Sequence, residues 1–141
     1  MNQEELAEII RVHEAEIGEW GDEDWEAYEE DFLDLSSKGL TALPPEIGNL
    51  TTLTGLNLSN NRLTEIPPEI GNLTRLSNLN LGANRLYKLP PEIGNLTDLT
   101  YLGLGNNHLT ELPPEIGNLT NLWSWNCITT DFIRCLPKYA T

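Results

Sequence analysis

The sequence predicts an α/β solenoid. Short parallel strands line its concave side, short 3-10 or helical turns form its convex side, and a helix caps its amino end. Three observations predict this. The block Pro-Pro-Glu-Ile-Gly-Asn-Leu-Thr begins at Pro44, Pro67, Pro90 and Pro113, so the period is 23 residues. A fixed period of this size belongs to a repeat architecture, in which each unit stacks on its neighbours. A short run of alternating apolar residues precedes each block, which is the pattern of a strand with one buried face. The first 31 residues share neither feature and read as an acidic helical segment.

Charge separates the same regions. The chain has 141 residues and a net charge of −14. Residues 1–34 hold 14 acids and one base, Arg11, whereas residues 35–141 hold 8 acids and 7 bases. The repeats are therefore close to neutral and the amino end is an acidic block. Nucleic acids and anionic membranes need a positive footprint, so neither is expected as a partner. A solvated, solubilising face is the plainest reading of such a block, and steering of a basic partner is the other. No apolar run reaches the length of a membrane span. Met-Asn-Gln-Glu-Glu-Leu lacks the basic and apolar regions of a signal peptide, so a cytoplasmic location is expected. Two cysteines are too few for a disulfide framework.

In chain order, residues 2–20 read as an amphipathic helix. Asn2 with Glu5 makes a capping-box pattern. Leu6, Ile9, Ile10, His13, Ile17 and Trp20 fall on one helical face. Asp22 is placed to cap a second short helix carrying Trp25 and Tyr28. Such a segment is not stable alone and has to dock on the open end of the first repeat. Three regions result: an acidic helical cap at 1–31, repeats at 32–121, and a degenerate last repeat with a carboxyl-terminal cap at 122–141.

Aligned on the period, the strand rows are Leu33-Asp-Leu35, Leu56-Asn-Leu58, Leu79-Asn-Leu81, Leu102-Gly-Leu104 and Trp125-Asn-Cys127. In the second unit Leu53, Leu56, Leu58, Leu63, Ile66, Ile70 and Leu73 point inward. Asn61, Asn84 and Asn107 recur at one inward position, where an amide both donates and accepts and so forms a structural ladder. Pro-Pro starts each return path with fixed φ. Gly48, Gly71, Gly94 and Gly117 are expected to end the short turns that follow. The first unit has Lys38 at the ladder position, and the last has Thr130 there. Cys127, Phe132 and Cys135 fall on inward positions; the cysteines read as small apolar fillers, with a bridge between them as the alternative.

The full unit, Leu-x-x-Leu-x-Leu-x-x-Asn-x-Leu, is the leucine-rich-repeat signature, so the solenoid is expected to be a leucine-rich-repeat horseshoe segment. Residues 109–122, Leu-Thr-Glu-Leu-Pro-Pro-Glu-Ile-Gly-Asn-Leu-Thr-Asn-Leu, resemble the short repeats of bacterial Roco-type proteins and of Ras-binding leucine-rich-repeat scaffolds. Glu4-Glu5-Leu6, Ile9-Ile10 and Leu33-Asp34-Leu35-Ser36 resemble the amino-terminal helix and first repeat of the bacterial members. Two departures stand out. Residues 18–31 look like an acidic insertion, and no Gly-x-x-x-x-Gly-Lys-Ser/Thr loop for a GTPase occurs. The resemblance implies protein–protein interaction without naming the partner.

Candidate binding residues follow from the columns of the concave face. One column is Phe32, Gly55, Asn78, Tyr101 and Ser124, and the next is Asp34, Asn57, Asn80, Gly103 and Asn126. Beside the Asn ladder run Gly39, Arg62, Arg85, His108 and Asp131, in which Arg62, Arg85 and His108 form a positive stripe suited to an acidic or phosphorylated partner. Tyr101 and Trp123 are aromatic anchor candidates. The plain alternative is that these are ordinary exposed loop residues. His13 and His108 have no cysteine or carboxylate at metal-ligand spacing. No Gly-x-Ser-x-Gly occurs, and Asp22-Glu23-Asp24 lacks the spacing of a calcium loop. No enzyme activity, metal or cofactor is expected. Asn49, Asn72, Asn95 and Asn118 each begin a glycosylation sequon, as does Asn57, which a cytoplasmic protein would not use.

The expected function is a non-enzymatic module binding another protein through its concave face, as a monomer with at most weak self-association. Two alternatives are carried forward. One is a regulator acting on a basic surface through the acidic segment. The other is an orphan piece of a larger repeat protein.

Overall fold

The computed structural model of the chain describes residues 1–18, 31–122 and 124–126, with side chains given within 1–15 and 31–122. Helix α1 spans Gln3–Gly18. Five strands follow: β1 Phe32–Asp34, β2 Gly55–Asn57, β3 Asn78–Asn80, β4 Tyr101–Gly103 and β5 Ser124–Asn126. They form one sheet in the order β1-β2-β3-β4-β5, and each neighbouring pair is parallel. Phe32 aligns with Gly55, Gly55 with Asn78, Asn78 with Tyr101 and Tyr101 with Ser124. The register therefore equals the sequence period, and every repeat occupies an equivalent place in the coil.

Between strands lie 3-10 turns at Pro45–Asn49, Pro68–Asn72, Pro91–Asn95 and Pro114–Asn118. The two prolines do different jobs. The first is extended (Pro44 φ −74°, ψ 153°), as a residue preceding proline prefers. The second opens the turn, where a missing N–H is harmless and φ is preset. Ile47 N–H then donates to Pro44 O at 3.1 Å and Leu50 N–H to Ile47 O at 3.2 Å.

The glycines of these turns differ from expectation. Gly48, Gly71 and Gly94 sit inside the turns, not after them, and among them no positive φ occurs. Their role is close approach. A Cβ on Gly71 would lie 2.8 Å from both Glu92 O and Glu92 Cβ of the next turn. The left-handed position lies elsewhere, at Ser37, Asn60, Ala83 and Asn106, one residue before the ladder.

The core is a stack of equivalent layers. Leu53, Leu56, Leu58, Leu63, Ile66, Ile70 and Leu73 are all buried, and the next layer repeats them. Each such side chain contributes about 1.5–3 kcal/mol by leaving water. Parallel strands three residues long have little pairing energy of their own, so the layers hold the sheet together.

Helix α1 closes the first layer. Asn2 and Glu5 form a reciprocal capping box: Glu5 N–H donates to Asn2 Oδ1 at 2.8 Å, and Asn2 N–H to Glu5 Oε2 at 3.0 Å. Leu6 and Ile10 are fully buried, and Met1 and Ile9 pack beside them. Gln3 Nε2 donates to Ala42 O at 3.2 Å. At the far end His13 Nε2 lies 2.8 Å from Asp31 Oδ1. The sequence offered His13 no partner, because Asp31 is 18 residues away and only folding brings the two together. The second short helix expected near Trp25 and Tyr28, and the carboxyl-terminal cap with Cys127, Phe132 and Cys135, lie outside the described residues.

Candidate functional site

Three surfaces meet along the coil: the floor of the sheet, the buried amide ladder at its edge, and the flank beyond the ladder.

The ladder comes first because it fixes where the other two face. Asn61, Asn84 and Asn107 are buried, at 8%, 6% and 4% exposure. Each is shared between repeats. Asn84 Nδ2 donates to Leu81 O in its own repeat and to Leu58 O in the one before, both at 3.0 Å. Its Oδ1 accepts from Leu63 N–H at 3.1 Å. Asn61 accepts one bond more, and the preceding repeat has Lys38, not an Asn, to share its work. Asn61 Oδ1 accepts from both Lys38 N–H and Leu40 N–H at 3.0 Å, and its Nδ2 donates to Leu35 O and Leu58 O at 2.9 Å. A second ladder, which the sequence reading missed, runs at the strand entrances. Thr54 Oγ1 donates to Asp31 O, Ser77 Oγ to Thr54 O, and Thr100 Oγ1 to Ser77 O, at 3.2, 3.1 and 2.9 Å. Its signal was present as Asp31, Thr54, Ser77 and Thr100 at the 23-residue period.

On the floor, the two predicted columns coincide with the strand register. Asn78 is exposed and Tyr101 half-buried in one column; Asn57 and Asn80 are half-buried in the other. Asn57 Oδ1 accepts from Ser59 N–H and Ser59 Oγ–H, at 3.1 and 2.7 Å, and Asn80 Oδ1 from Gly82 N–H at 3.0 Å. These oxygens hold the turn after the strand, so the amide Nδ2 groups are what the two residues offer a partner. Asp34 takes the same part in β1. The Ser36 hydroxyl and amide hold its carboxyl below the ordinary aspartate value. Two glycines make room for aromatic groups on this floor. The Phe32 ring lies where a side chain of Gly55 would project, and the Tyr101 hydroxyl is 3.0 Å from where a Cβ of Gly103 would stand. Phe32 is 53% exposed.

Arg62, Arg85 and His108 lie apart from these columns. Each follows the ladder Asn, five residues past the strand end, and the left-handed residues Asn60, Ala83 and Asn106 turn the chain in between. They form a flank with a regular step of its own: Arg62 N–H donates to Leu40 O, Arg85 N–H to Leu63 O and His108 N–H to Leu86 O, at 2.8, 2.8 and 2.9 Å. All three side chains are exposed. Tyr87, which the sequence reading did not single out, joins them. Its ring centroid is 5.4 Å from that of His108. Trp123 lies outside the described residues. Among the described residues no group of three or more His, Cys, Asp or Glu side chains is placed to hold a metal ion. Nor is any helix among them long and apolar enough to cross a membrane.

Comparison with known proteins agrees with this architecture. Residues 31–100 match the family model described as a leucine-rich repeat region, and residues 98–119 match a leucine-rich repeat model. The chain is a leucine-rich-repeat protein. A leucine-rich-repeat protein of Leptospira interrogans is 35% identical with a TM-score of 0.57, over 78% of this chain and 34% of that one. The BIR2 ectodomain of Arabidopsis thaliana is 31% identical with a TM-score of 0.59, over 65% of this chain and 50% of that one. An internalin of Listeria monocytogenes is 29% identical with a TM-score of 0.56, over 66% of this chain and 27% of that one. The chain thus spans between about a quarter and a half of the length of these neighbours. No curated protein matches it. By fold and family the chain is of the protein-interaction kind.

Proposed function

We propose that this chain is a non-enzymatic module that presents the concave sheet face to another protein. The observation that carries this reading is the register. It lines up Asn78 and Tyr101, in a column that changes at every repeat, beside Asn57 and Asn80, on a floor whose underlying leucines do not change. Amide donors beside aromatic rings are suited to a polar peptide surface with an apolar anchor. The test is capture of a partner from an extract of the source cells by the full chain, compared with an Asn78→Arg, Tyr101→Ala variant. The variant should lose the partner while keeping its melting temperature. Undiminished capture would refute the concave reading.

The charge of residues 1–34 favours a second reading, in which the acidic segment engages a basic surface. Deleting residues 19–30 should then abolish capture, with the floor variant silent. If the chain is instead an orphan piece of a larger repeat protein, no specific partner is recovered at all. We also place the protein in the cytoplasm. The exposed sequon residues Asn49, Asn72, Asn95 and Asn118 provide the check, since glycans in the intact mass of protein from its own source would contradict that placement.

A further inference from the structure

We propose that the flank formed by Arg62, Arg85, Tyr87 and His108 is a docking strip for an extended acidic peptide segment of another protein. The proposal rests on the protein-binding reading above and gives it a second contact, with a partner of stated chemistry.

Charge is the first support. Neither the Arg62 nor the Arg85 side chain has an ion pair or hydrogen bond among the described residues. Two guanidinium groups one repeat apart, with no carboxylate partner among the described residues, are suited to take carboxylates bidentately. Spacing is the second. Successive repeats step by about 4.8 Å, whereas alternate side chains of an extended peptide lie about 6.6 Å apart. Flexible arginine stems bridge a mismatch of about 2 Å, so a segment with acids at alternate residues, running along the coil, fits both heads. The third support is an aromatic surface in the same strip. Tyr87 is 62% exposed, among the most exposed large apolar side chains of the described residues, and it stacks against His108 at a 31° tilt. A ring held by its neighbour presents contact area with little ordering left to do.

The protein's own acids bear on this. Helix α1 carries Glu4, Glu5, Glu8 and Glu14, and it packs on the first repeat. Arg62, Arg85 and His108 belong to repeats one, two and three strand steps further along, roughly 5, 10 and 14 Å. At physiological ionic strength charge is screened within about 8 Å. The helix charge is therefore felt at Arg62 and little at Arg85 and His108, so an acidic peptide engages the strip best with its acids toward the Arg85 end.

The experiment uses the full chain and a fluorescein-labelled decapeptide of alternating Glu and Ser, followed by anisotropy at about 0.15 M salt. A Gln/Ser decapeptide and vesicles containing phosphatidylserine serve as the other probes. Wild-type protein should bind the Glu/Ser peptide and neither of the others. Arg62→Gln with Arg85→Gln should weaken that binding about tenfold or more, the scale of losing one charge-assisted hydrogen bond. Tyr87→Ala should weaken it to a smaller degree, and Tyr101→Ala on the floor should leave it unchanged. No binding by wild type, equal binding by the arginine variant, or preference for the vesicles would each overturn the proposal. Loss in Tyr101→Ala alone would overturn the flank assignment and leave the concave reading standing. Unchanged melting curves confirm that the variants fold.

Discussion

Removing one ladder amide should destabilise the protein far more than removing its apparent twin. The perturbation is Asn61→Ala compared with Asn84→Ala. Both truncations remove the same buried side chain from the same kind of site, so the packing loss cancels in the comparison. What differs is what each leaves behind. Without Asn84, Leu58 O still receives Asn61 Nδ2 and Leu81 O still receives Asn107 Nδ2. One buried group, Leu63 N–H, loses its acceptor. Without Asn61, Leu40 N–H loses its acceptor and Leu35 O its side-chain donor, and Lys38 cannot replace it. The Lys38 N–H is also released, but from a part-buried bond at an exposed residue, so it adds less. A buried polar group left unpaired costs about 1–3 kcal/mol, so the expectation is about 1–3 for Asn84→Ala and about 2–6 for Asn61→Ala. At roughly 3 °C per kcal/mol for a chain of this size, the two melting temperatures should differ by about 3–9 °C. Thermal and urea unfolding followed by circular dichroism reads this directly. Lys38→Asn should shrink the Asn61→Ala effect by giving Leu35 O a second donor, a coupling that a double-mutant cycle isolates. Equal losses in the two alanine variants, or a larger loss at Asn84, would refute the shared-ladder argument.

Other positions give sharper or smaller effects. Ala83 has a φ of 52°, so Ala83→Gly should raise stability by about 0.5–1 kcal/mol, the relief of a left-handed alanine less the entropy of glycine, seen as a higher urea midpoint. Gly71→Ala should lower stability by about 1–3 kcal/mol, because its Cβ would meet a backbone oxygen of the next turn that has no room to retreat; an unchanged melt would contradict this. Leu6→Asp should undock helix α1 and expose the first layer, which light scattering would register as aggregation.

Much of this was legible in the sequence because the repeat makes the same statement several times. Strand columns, inward leucines and the ladder asparagines can be placed by counting in steps of 23, and the strand register follows the same count. What counting missed has physical reasons. Gly71 looked like the end of a turn because glycine often ends helices, but its constraint comes from Glu92 in the next repeat, a contact that no local pattern encodes. His13 looked unpartnered because Asp31 reaches it only after α1 docks. Tyr87 stands in a column that is otherwise threonine (Thr41, Thr64 and Thr110), and only its stack on His108, which joins two repeats, makes it part of the flank. The Phe32 and Tyr101 groups over Gly55 and Gly103 depend likewise on side-chain directions that spacing leaves open.

The division between repeated and unrepeated residues also decides how binding experiments on this protein should be interpreted. In a stack where each unit touches only its neighbours, stability is close to a sum of layer terms. Those terms belong to the inward leucines, the turn glycines and the two ladders. Arg62, Arg85 and Asn78 contribute to none of these, since their side chains are exposed and their backbone N–H bonds recur in neighbouring repeats. Substituting them should therefore leave unfolding almost unchanged, within about 0.5 kcal/mol. A variant of the flank or floor that loses its ligand without losing stability then reports on recognition alone. If Arg62→Gln or Asn78→Arg instead lowered the melting temperature by several degrees, these residues would be part of the scaffold, and the separation of binding surface from scaffold would fail with them.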